Sequence, residues 1–184
     1  MKKIALGLVI AVVAVVSQAA EGYSFTSSLG RVHSSLELPA SYTADESSTT
    51  WALTGGYRFS SNWGAEIGYR DFGKQQIRGT QSATTLTGTA WTYGGLYAYQ
   101  VNPSAEILFR GGAFQWNVSS TGTTISGRQY GSESSGTRAY LGAGLLWKVN
   151  DPISIGVNWT RYKSASSSRD DADVIEASVQ YRFK

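Results

Sequence analysis

The chain has 184 residues, with 16 basic against 13 acidic side chains and no cysteine. Without cysteine, neither disulfides nor thiolate metal sites can stabilise the fold, and so small a charge excess argues against nucleic acid as a partner. The chain contains 21 Gly, 6 Trp and 11 Tyr but only 3 Pro, a composition that favours an all-β protein.

The N-terminus carries the three parts of a secretory signal. Two lysines precede an apolar run at 4–16, and small residues at Ser17 and Ala19 predict cleavage after Ala19. The run is too short to span a bilayer as a helix. We therefore expect residues 1–19 to be a signal peptide and residues 20–184 to form one domain. Cleavage would leave 14 basic against 13 acidic residues, a net charge of +1.

Eight segments alternate between apolar and polar residues with the period of a β-strand. In the clearest of them, residues 49–59, Trp51 and Tyr57 share one face while Arg58 lies on the other. The first segment is the weakest because Ser27 interrupts its apolar face. In chain order the predicted strands are residues 23–32, 49–59, 63–70, 90–101, 105–114, 137–149, 153–159 and 174–183.

Short and long connections alternate along the chain. The short ones are tight turns of three residues that contain Asn with Ser, Asp or Pro, and they lie at 60–62, 102–104 and 150–152. The long ones are polar and predicted to be loops, at 34–48, 74–86, 118–136 and 164–171. This alternation predicts an antiparallel up-and-down meander with two unlike ends.

Two all-β architectures differ in where the apolar faces point. A soluble barrel or sandwich turns them inward, whereas a transmembrane barrel turns them outward to lipid. The charges on these faces, Arg31, Asp71, Arg161 and Asp173, all lie at strand ends next to long loops. Aromatic residues gather near both ends of the strands, as in the interfacial girdles of membrane proteins. Both patterns favour the transmembrane barrel.

The opposite strand faces carry nine charged residues. The interior of an eight-stranded barrel is just wide enough for side chains to fill. We therefore expect these charges to pair with one another and to plug the lumen. The predicted lumen ion network comprises Arg58, Glu66, Arg70, Glu106, Arg110, Arg138, Lys148, Glu176 and Arg182.

Two motifs resemble a known family, the small eight-stranded outer-membrane barrels of the OmpA transmembrane-domain and OmpX type. Tyr-Arg-Phe at 57–59, followed by a short turn and Trp63, is similar to the strand–turn–strand units of that family. Val-Gln-Tyr-Arg-Phe at 179–183 resembles its carboxy-terminal assembly signal. The resemblance implies an all-β, eight-stranded antiparallel up-and-down transmembrane β-barrel in a Gram-negative-type outer membrane. The assembly-signal residues would be Val179, Tyr181 and Phe183.

The resemblance further implies a structural scaffold that displays polar extracellular loops for surface interaction or adhesion. Because recognition residues concentrate on loops held by a rigid frame, we expect residues 36–45 and 121–136 to carry any ligand binding. The expected partners are outer-membrane lipid and lipopolysaccharide, the barrel assembly machinery, and a host or surface ligand. We expect a monomer without cofactor or metal.

Two alternative functions remain open at this point. A narrow, porin-like pore would use the basic side chains of the lumen to favour anions. A lipid-modifying enzyme would need a catalytic histidine, and His33, near Ser34, Ser35 and Glu37, is the only one. Adjacent residues of a strand point apart, which disfavours a catalytic triad here, so we expect no enzyme. The acidic group Asp170, Asp171 and Asp173 is similarly expected to be a solvated loop rather than a calcium site.

Overall fold

The computed structural model describes residues 22–34, 42–44, 47–79, 82–124, 129–163 and 171–183. The predicted signal peptide and Lys184 lie outside these ranges. Across the described ranges, no helix is long and apolar enough to cross a membrane. The strands are β1 (Tyr23–Ser34), β2 (Tyr42–Ala44), β3 (Ser47–Arg58), β4 (Trp63–Gly79), β5 (Ser82–Asn102), β6 (Ala105–Thr124), β7 (Gln129–Lys148), β8 (Ile153–Tyr162) and β9 (Ala172–Arg182).

Strand pairing closes the described part of the chain into a ring. From β3 to β9 each strand pairs antiparallel with the next, and β1 pairs with both β3 and β9. The short strand β2 lies within the predicted loop 34–48 and pairs with β4 beside the ring. The predicted eight-stranded antiparallel up-and-down barrel is therefore confirmed, with β2 as an unpredicted addition.

The irregular alternation around Ser27 does not prevent β1 from closing the barrel. Ser27 lies between Leu53 of β3 and Val179 of β9, and the register is continuous on both sides. Backbone groups form the ladder hydrogen bonds, so an outward hydroxyl in this position does not interrupt them.

Apolar side chains cover the outer wall of the barrel. Leu141 and Leu145 of β7 and Val157 of β8 are about half exposed. A soluble protein would bury such a surface, so the soluble alternative is wrong. Large rings form one outward band near the short turns, with Phe59, Trp63, Tyr99, Trp147 and Tyr181, and a second band farther along the strands, with Trp51, Trp91, Tyr93 and Trp159.

The three predicted short turns are stabilised by their own polar side chains. The Ser60 hydroxyl accepts a hydrogen bond from Trp63 N at 3.0 Å. In the other two turns, the Asn102 and Asn150 side-chain oxygens accept from backbone N–H groups two and three residues later. Such local bonds are the reason that Asn and Ser favour tight turns.

Two of the connections predicted as loops are largely strand, and this prediction was wrong. β4 and β5 continue through the predicted loop 74–86, and β6 and β7 continue through 118–136. Residues 80–81 and 125–128 at the hairpin tips lie outside the described residues. The physical reason is that these strands rise beyond the barrel, where neither face is lipid or lumen, so the apolar–polar alternation disappears. We call this extension of β4–β7 the protruding sheet.

A β-bulge marks the point where β4 leaves the barrel. The register of β4 against β5 shifts immediately after Asp71, and Gly73 has a φ of 77°. The Asp71 carboxylate accepts a hydrogen bond of 2.7 Å from Gly73 N. The hydroxyls of Ser48 and Thr50 on β3 donate to the backbone carbonyls of Phe72 and Asp71, both at 2.6 Å. Pairing of β4 with β3 ends at this bulge, so the sheet continues upward without β3.

Candidate functional site: the lumen and the protruding sheet

The most deeply buried ion pair crosses the lumen from β4 to β9. Arg70 Nη1 and Nη2 donate to the two Glu176 carboxylate oxygens at 2.7 and 3.0 Å. The two side chains are only 6% and 2% exposed. The guanidinium also donates to Thr50 Oγ1 at 3.3 Å and lies 5.5 Å from the Tyr162 ring centre. Two parallel charge-assisted bonds make this a strong and directional link between opposite walls.

A second network lies near the short turns and contains Arg182 of the closing strand. Glu106 Oε2 accepts hydrogen bonds from Arg58 Nη2 at 2.6 Å and from Arg182 Nη2 at 3.3 Å. These three residues come from β6, β3 and β9. One carboxylate therefore connects three separate strands across the interior.

A third group joins β4, β6 and β7. The Tyr140 hydroxyl donates to Glu66 Oε1 at 3.0 Å, and Arg110 Nε lies 4.0 Å from Glu66 Oε2. Gly94 makes room for this contact, because a Cβ at that position would overlap the Tyr140 hydroxyl. A strand glycine often marks such a close approach.

Two apolar clusters also fill the lumen. One lies near the rim that carries the protruding sheet, and the other lies near the short turns. The rim cluster contains Val32, Ala90, Phe114, Tyr140, Tyr162 and Val174. The cluster near the short turns contains Leu96, Ala98, Leu108 and Leu146. The interior is therefore packed with side chains, as expected for eight strands.

The structure brings together seven of the nine residues predicted for the lumen network, but not Arg138 or Lys148. Arg138 is exposed where β7 rises above the barrel. Lys148 is exposed beside a short turn, and its Nζ lies 2.7 Å from Asp151 Oδ1. Strand alternation predicts which side a residue faces but not its height along the barrel, and both of these residues lie beyond the enclosed lumen.

Several interior polar residues escaped the sequence analysis, which counted only formal charges. Tyr140 lies on the same face of β7 as Arg138 and donates to the buried Glu66 carboxylate. Tyr162, three residues beyond the predicted strand 153–159, contacts Arg70. The Asn158 amide donates to Ser178 Oγ at 2.9 Å, and the Gln180 amide donates to a hydroxyl on β1 at 3.2 Å. The alternation, continued along each strand, places these residues inward, so it was the signal that could have found them.

The single histidine of the sequence, His33, lies at the rim of the barrel. Its side chain is exposed at the end of β1, opposite Ser47 and Asp173 in the neighbouring strands. The predicted companions Ser35 and Glu37 lie outside the described residues.

The acidic residues of the last connection are engaged by basic side chains. Arg161 Nε and Nη2 donate to the two Asp173 oxygens at 2.9 and 2.8 Å, and Lys163 Nζ donates to Asp171 Oδ2 at 2.8 Å. Asp170 lies outside the described residues. Within the described part of the chain, no three potential metal ligands cluster.

The protruding sheet presents two different faces. On its inner face Trp116 packs against Gly136, and Tyr130 packs over Gly122. The outer face is a regular array of hydroxyl and amide side chains with one carboxylate. Its described members on β5, β6 and β7 are Thr85, Thr87, Thr89, Gln115, Asn117, Ser119, Thr121, Glu133, Ser135 and Thr137.

Strand β7 has a free edge above the barrel within the described residues. Its pairing with β8 begins at Tyr140, whereas the strand itself begins at Gln129. Lys163 N donates to the Ala139 carbonyl, so Ala139 directs its backbone groups away from β6. Backbone groups alternate sides along an antiparallel strand. Those directed to the free edge belong to Gln129, Gly131, Glu133, Ser135 and Thr137.

Comparison with known proteins places this geometry among outer-membrane barrels. The family model described as outer membrane protein beta-barrel domain matches residues 4–183. Comparison with curated protein sequences gave no significant match.

Similar solved structures include proteins of Yersinia pestis and Pseudomonas aeruginosa. Ail, the attachment invasion locus protein of Yersinia pestis, is 17% identical over 89% of this chain and 97% of its own, with a TM-score of 0.57. The barrel domain of OprF from Pseudomonas aeruginosa is 12% identical over 89% and 100%, with a TM-score of 0.61. OprG from the same organism is 14% identical over 91% and 98%, with a TM-score of 0.60. At these identities the similarity concerns the fold alone.

Proposed function

Because the chain belongs to the outer membrane protein beta-barrel family, we propose that it is a structural scaffold that holds a ligand-binding sheet above the cell surface. The protein is an integral outer-membrane protein of the Gram-negative type. Barrels of this kind place their short turns in the periplasm and their long hairpins outside. The protruding sheet is then the part of the described structure that meets the surroundings.

The observation that carries this proposal is the continuation of four strands beyond the barrel. The part of β7 that has β6 but not β8 beside it, residues 129–138, alone extends roughly 33 Å at the usual rise of a strand. The predicted recognition segment 121–136 belongs to this hairpin, whereas 36–45 lies outside the described residues except at β2. Paired strands restrict their side chains more than a loop does, so a sheet loses less conformational entropy on binding.

The free edge of β7 supports recognition of a protein ligand. Unpaired N–H and C=O groups in a row can bind an extended segment of a partner as an added strand. The neighbouring hydroxyl and amide array offers further hydrogen-bonding groups. A host or surface protein with an extended segment is thus the ligand class that we propose.

The test is to remove the upper hairpin without touching the barrel. Residues 119–133 are replaced by an Asn-Gly turn, which joins the paired residues Val118 and Ser134. Cells that display the shortened protein are compared with cells that display the intact chain for binding to serum proteins and host cells. We expect the shortened protein to lose binding while it retains heat-modifiable migration on gels, which reports a closed barrel.

A matched control distinguishes the edge from the rest of the sheet. Ser135→Pro removes an N–H that points to the free edge, and Thr137→Ala alters an outer side chain of the same strand without changing the backbone. We expect the first change to abolish binding and the second to leave it nearly unchanged. Full binding by the shortened protein would refute the proposed function.

The carboxy-terminal motif is proposed to act in assembly rather than in ligand binding. Val179 and Tyr181 point outward, and the Tyr181 and Phe183 rings contact each other with centres 4.8 Å apart. Phe183 N also donates to Tyr23 O at 2.8 Å, beside the seam that closes the barrel. If the barrel assembly machinery recognises these residues, Phe183→Ala should lower the folded fraction in membranes while the purified variant still folds in detergent.

A pore is less well supported than a scaffold. The ion pairs and the two apolar clusters fill the interior, and no described feature marks a continuous channel. Planar-bilayer recordings of the intact protein and of an Arg58, Arg110 and Arg138 triple alanine variant address this alternative. A reproducible conductance that changes in the variant would favour the pore.

A further inference from the structure

Apolar side chains continue above the rim cluster on the inner face of the protruding sheet. Phe72 and Trp116 pack against the rim cluster and remain partly exposed. A Cβ at Gly88 would lie 3.6 Å from Val118 Cγ2 and 3.7 Å from Phe72 Cβ, so this glycine lies between them. We call this surface the mouth shelf, and its residues are Phe72, Leu86, Gly88, Trp116, Val118 and Gly136. The neighbouring strands β3 and β8 no longer pair with the sheet at this height, so the mouth shelf meets water, as apolar interaction sites do.

The indole of Trp116 forms a flat surface at the centre of the mouth shelf. Trp116 on β6 is paired with Gly136 on β7. Three neighbouring atoms of the ring, Cζ2, Cε2 and Nε1, lie 3.0 to 3.1 Å from the position that a Cβ of Gly136 would occupy. The ring therefore lies across the glycine, with one face against β7 and the other directed to the barrel mouth. An aromatic face presented in this way can stack with another ring.

Arg138 places a positive charge at the edge of the mouth shelf. It follows Gly136 by two residues on the same strand face, roughly 7 Å farther along β7, and it lies opposite Phe114 of the rim cluster. Its side chain is exposed and makes no ion pair with any described residue. The one described carboxylate of the sheet above it, Glu133, belongs to the outer face. Arg138 is thus a cation without a counterion beside an apolar surface.

We propose that the mouth shelf and Arg138 together bind a small aromatic carboxylate. The ring of the ligand stacks on the open face of Trp116, and the Arg138 guanidinium donates two parallel hydrogen bonds to the carboxylate. The spacing of roughly 7 Å along β7 fits a carboxylate attached directly to a ring. A single arginine balances a single negative charge, which favours a carboxylate over a phosphate. Small-molecule sites commonly combine an apolar lining with a few polar groups that fix the orientation of the ligand.

The ligand would remain at the barrel mouth instead of passing through the lumen. The rim cluster beneath the mouth shelf is closely packed, with the rings of Phe114 and Tyr162 centred 4.9 Å apart. The site is therefore a receptor site and not the entrance of a pore. It uses the inner face of the protruding sheet, whereas the proposed protein ligand binds the free edge of β7. The two proposals are independent of each other.

The test measures binding of fluoronaphthoate to the intact barrel in lipid nanodiscs by fluorine NMR, with empty nanodiscs as the baseline. Fluoronaphthamide is the uncharged probe of the same shape. We expect Arg138→Gln to weaken fluoronaphthoate binding about tenfold, as the loss of a charge-assisted hydrogen bond implies. Trp116→Leu, which removes the stacking surface, should weaken it by a similar factor. Fluoronaphthamide should bind the unaltered protein as weakly as fluoronaphthoate binds Arg138→Gln.

Matched controls keep the result specific to the mouth shelf. Lys74→Gln removes an exposed cation from the outer face of the same sheet, and Trp91→Leu removes an indole from the lipid-facing wall. Both should bind fluoronaphthoate like the unaltered protein. If Trp116→Leu does not fold, Gly136→Ala displaces the indole instead. The shortened protein without residues 119–133 retains Trp116 and Arg138, so it should bind fluoronaphthoate even though it loses the protein ligand.

Three outcomes would overturn the assignment. Equal binding of fluoronaphthoate and fluoronaphthamide would show that Arg138 does not recognise the charge. An equal loss in Trp91→Leu would place the probe on the lipid-facing wall. Binding no greater than that of empty nanodiscs would show that the mouth shelf does not accept an aromatic carboxylate.

Discussion

The barrel and the protruding sheet are built from the same strands but are stabilised in different ways. Inside the barrel, Arg70 and Glu176 are nearly inaccessible and link opposite walls. Above the rim, β4–β7 continue with solvent on both faces and with polar side chains such as Thr87, Asn117 and Ser135. A closed interior makes each buried polar contact count for more than the same contact in water. The barrel should therefore be globally stable, while the sheet depends on backbone ladders that can open locally.

The largest expected effect comes from breaking the ion pair at the centre of the barrel. Glu176→Ala leaves Arg70 charged and buried without its carboxylate, which typically costs about 3–5 kcal/mol. We expect the unfolding midpoint of the detergent-folded barrel in urea to fall accordingly. The double variant Arg70→Met/Glu176→Leu should recover most of the loss, because apolar residues of similar volume often replace a buried pair without cost. A single variant as stable as the intact protein would disprove the importance of this pair.

A substitution at the boundary between the barrel and the protruding sheet should lower stability by an intermediate amount. Gly73→Ala forces a side chain into the left-handed conformation and against the Thr49 carbonyl, at a cost of about 1–2 kcal/mol for the conformation. We expect reduced stability in the same urea titration. Gly131→Ala is the matched control on the protruding sheet, where a Cβ would meet only the Ser120 carbonyl at 3.6 Å. That variant should stay within about 0.5 kcal/mol of the intact protein.

Two proline substitutions in β7 distinguish local opening of the protruding sheet from global unfolding of the barrel. Ser134→Pro removes an N–H that faces β6, whereas Ser135→Pro removes one that faces the free edge. We expect Ser134→Pro to increase amide hydrogen exchange across the upper β6–β7 hairpin while the urea midpoint of the barrel is unchanged. Ser135→Pro should leave the exchange pattern close to that of the intact chain. A large fall in the midpoint for Ser134→Pro would mean that the sheet and the barrel unfold as one unit.

The smallest effect is expected at a charge that the sequence placed in the lumen. Lys148 and Asp151 are both exposed, with side chains 48% and 63% accessible. Exposed ion pairs contribute about 0–1 kcal/mol, so Lys148→Ala should barely change the urea midpoint. Lys148→Met, which keeps the apolar stem, serves as its control. A loss comparable to that of Glu176→Ala would place Lys148 functionally inside the barrel after all.

The sequence was sufficient for the barrel because every barrel strand has two unlike sides. The adjacent residues Tyr140 and Leu141 differ in side-chain chemistry because Tyr140 faces the lumen and Leu141 faces lipid. This difference between the two sides of a strand did not reveal the strands at 74–86 and 118–136, because both of their faces meet water. Alternation also does not indicate how high a residue lies along the barrel axis. For this reason Arg138 and Lys148 were predicted to lie in the lumen together with Arg110.

The partners within the lumen could not be predicted for a geometric reason. Glu66, Glu106 and Glu176 were each available to several arginines, and the choice depends on barrel stagger and strand tilt. Register across four or more strands decides that Glu176 binds Arg70, while Glu106 binds both Arg58 and Arg182. Neither quantity can be read from one strand at a time.

By itself the sequence determined the fold class, the strand order and the direction of each barrel side chain, because a period of two residues follows directly from strand geometry. The tertiary structure alone decided which charges meet, how far β4–β7 rise above the barrel and which edge of β7 is free. These features arise from contacts between strands distant in sequence. They depend on closure and register, which alternation along a single strand does not encode.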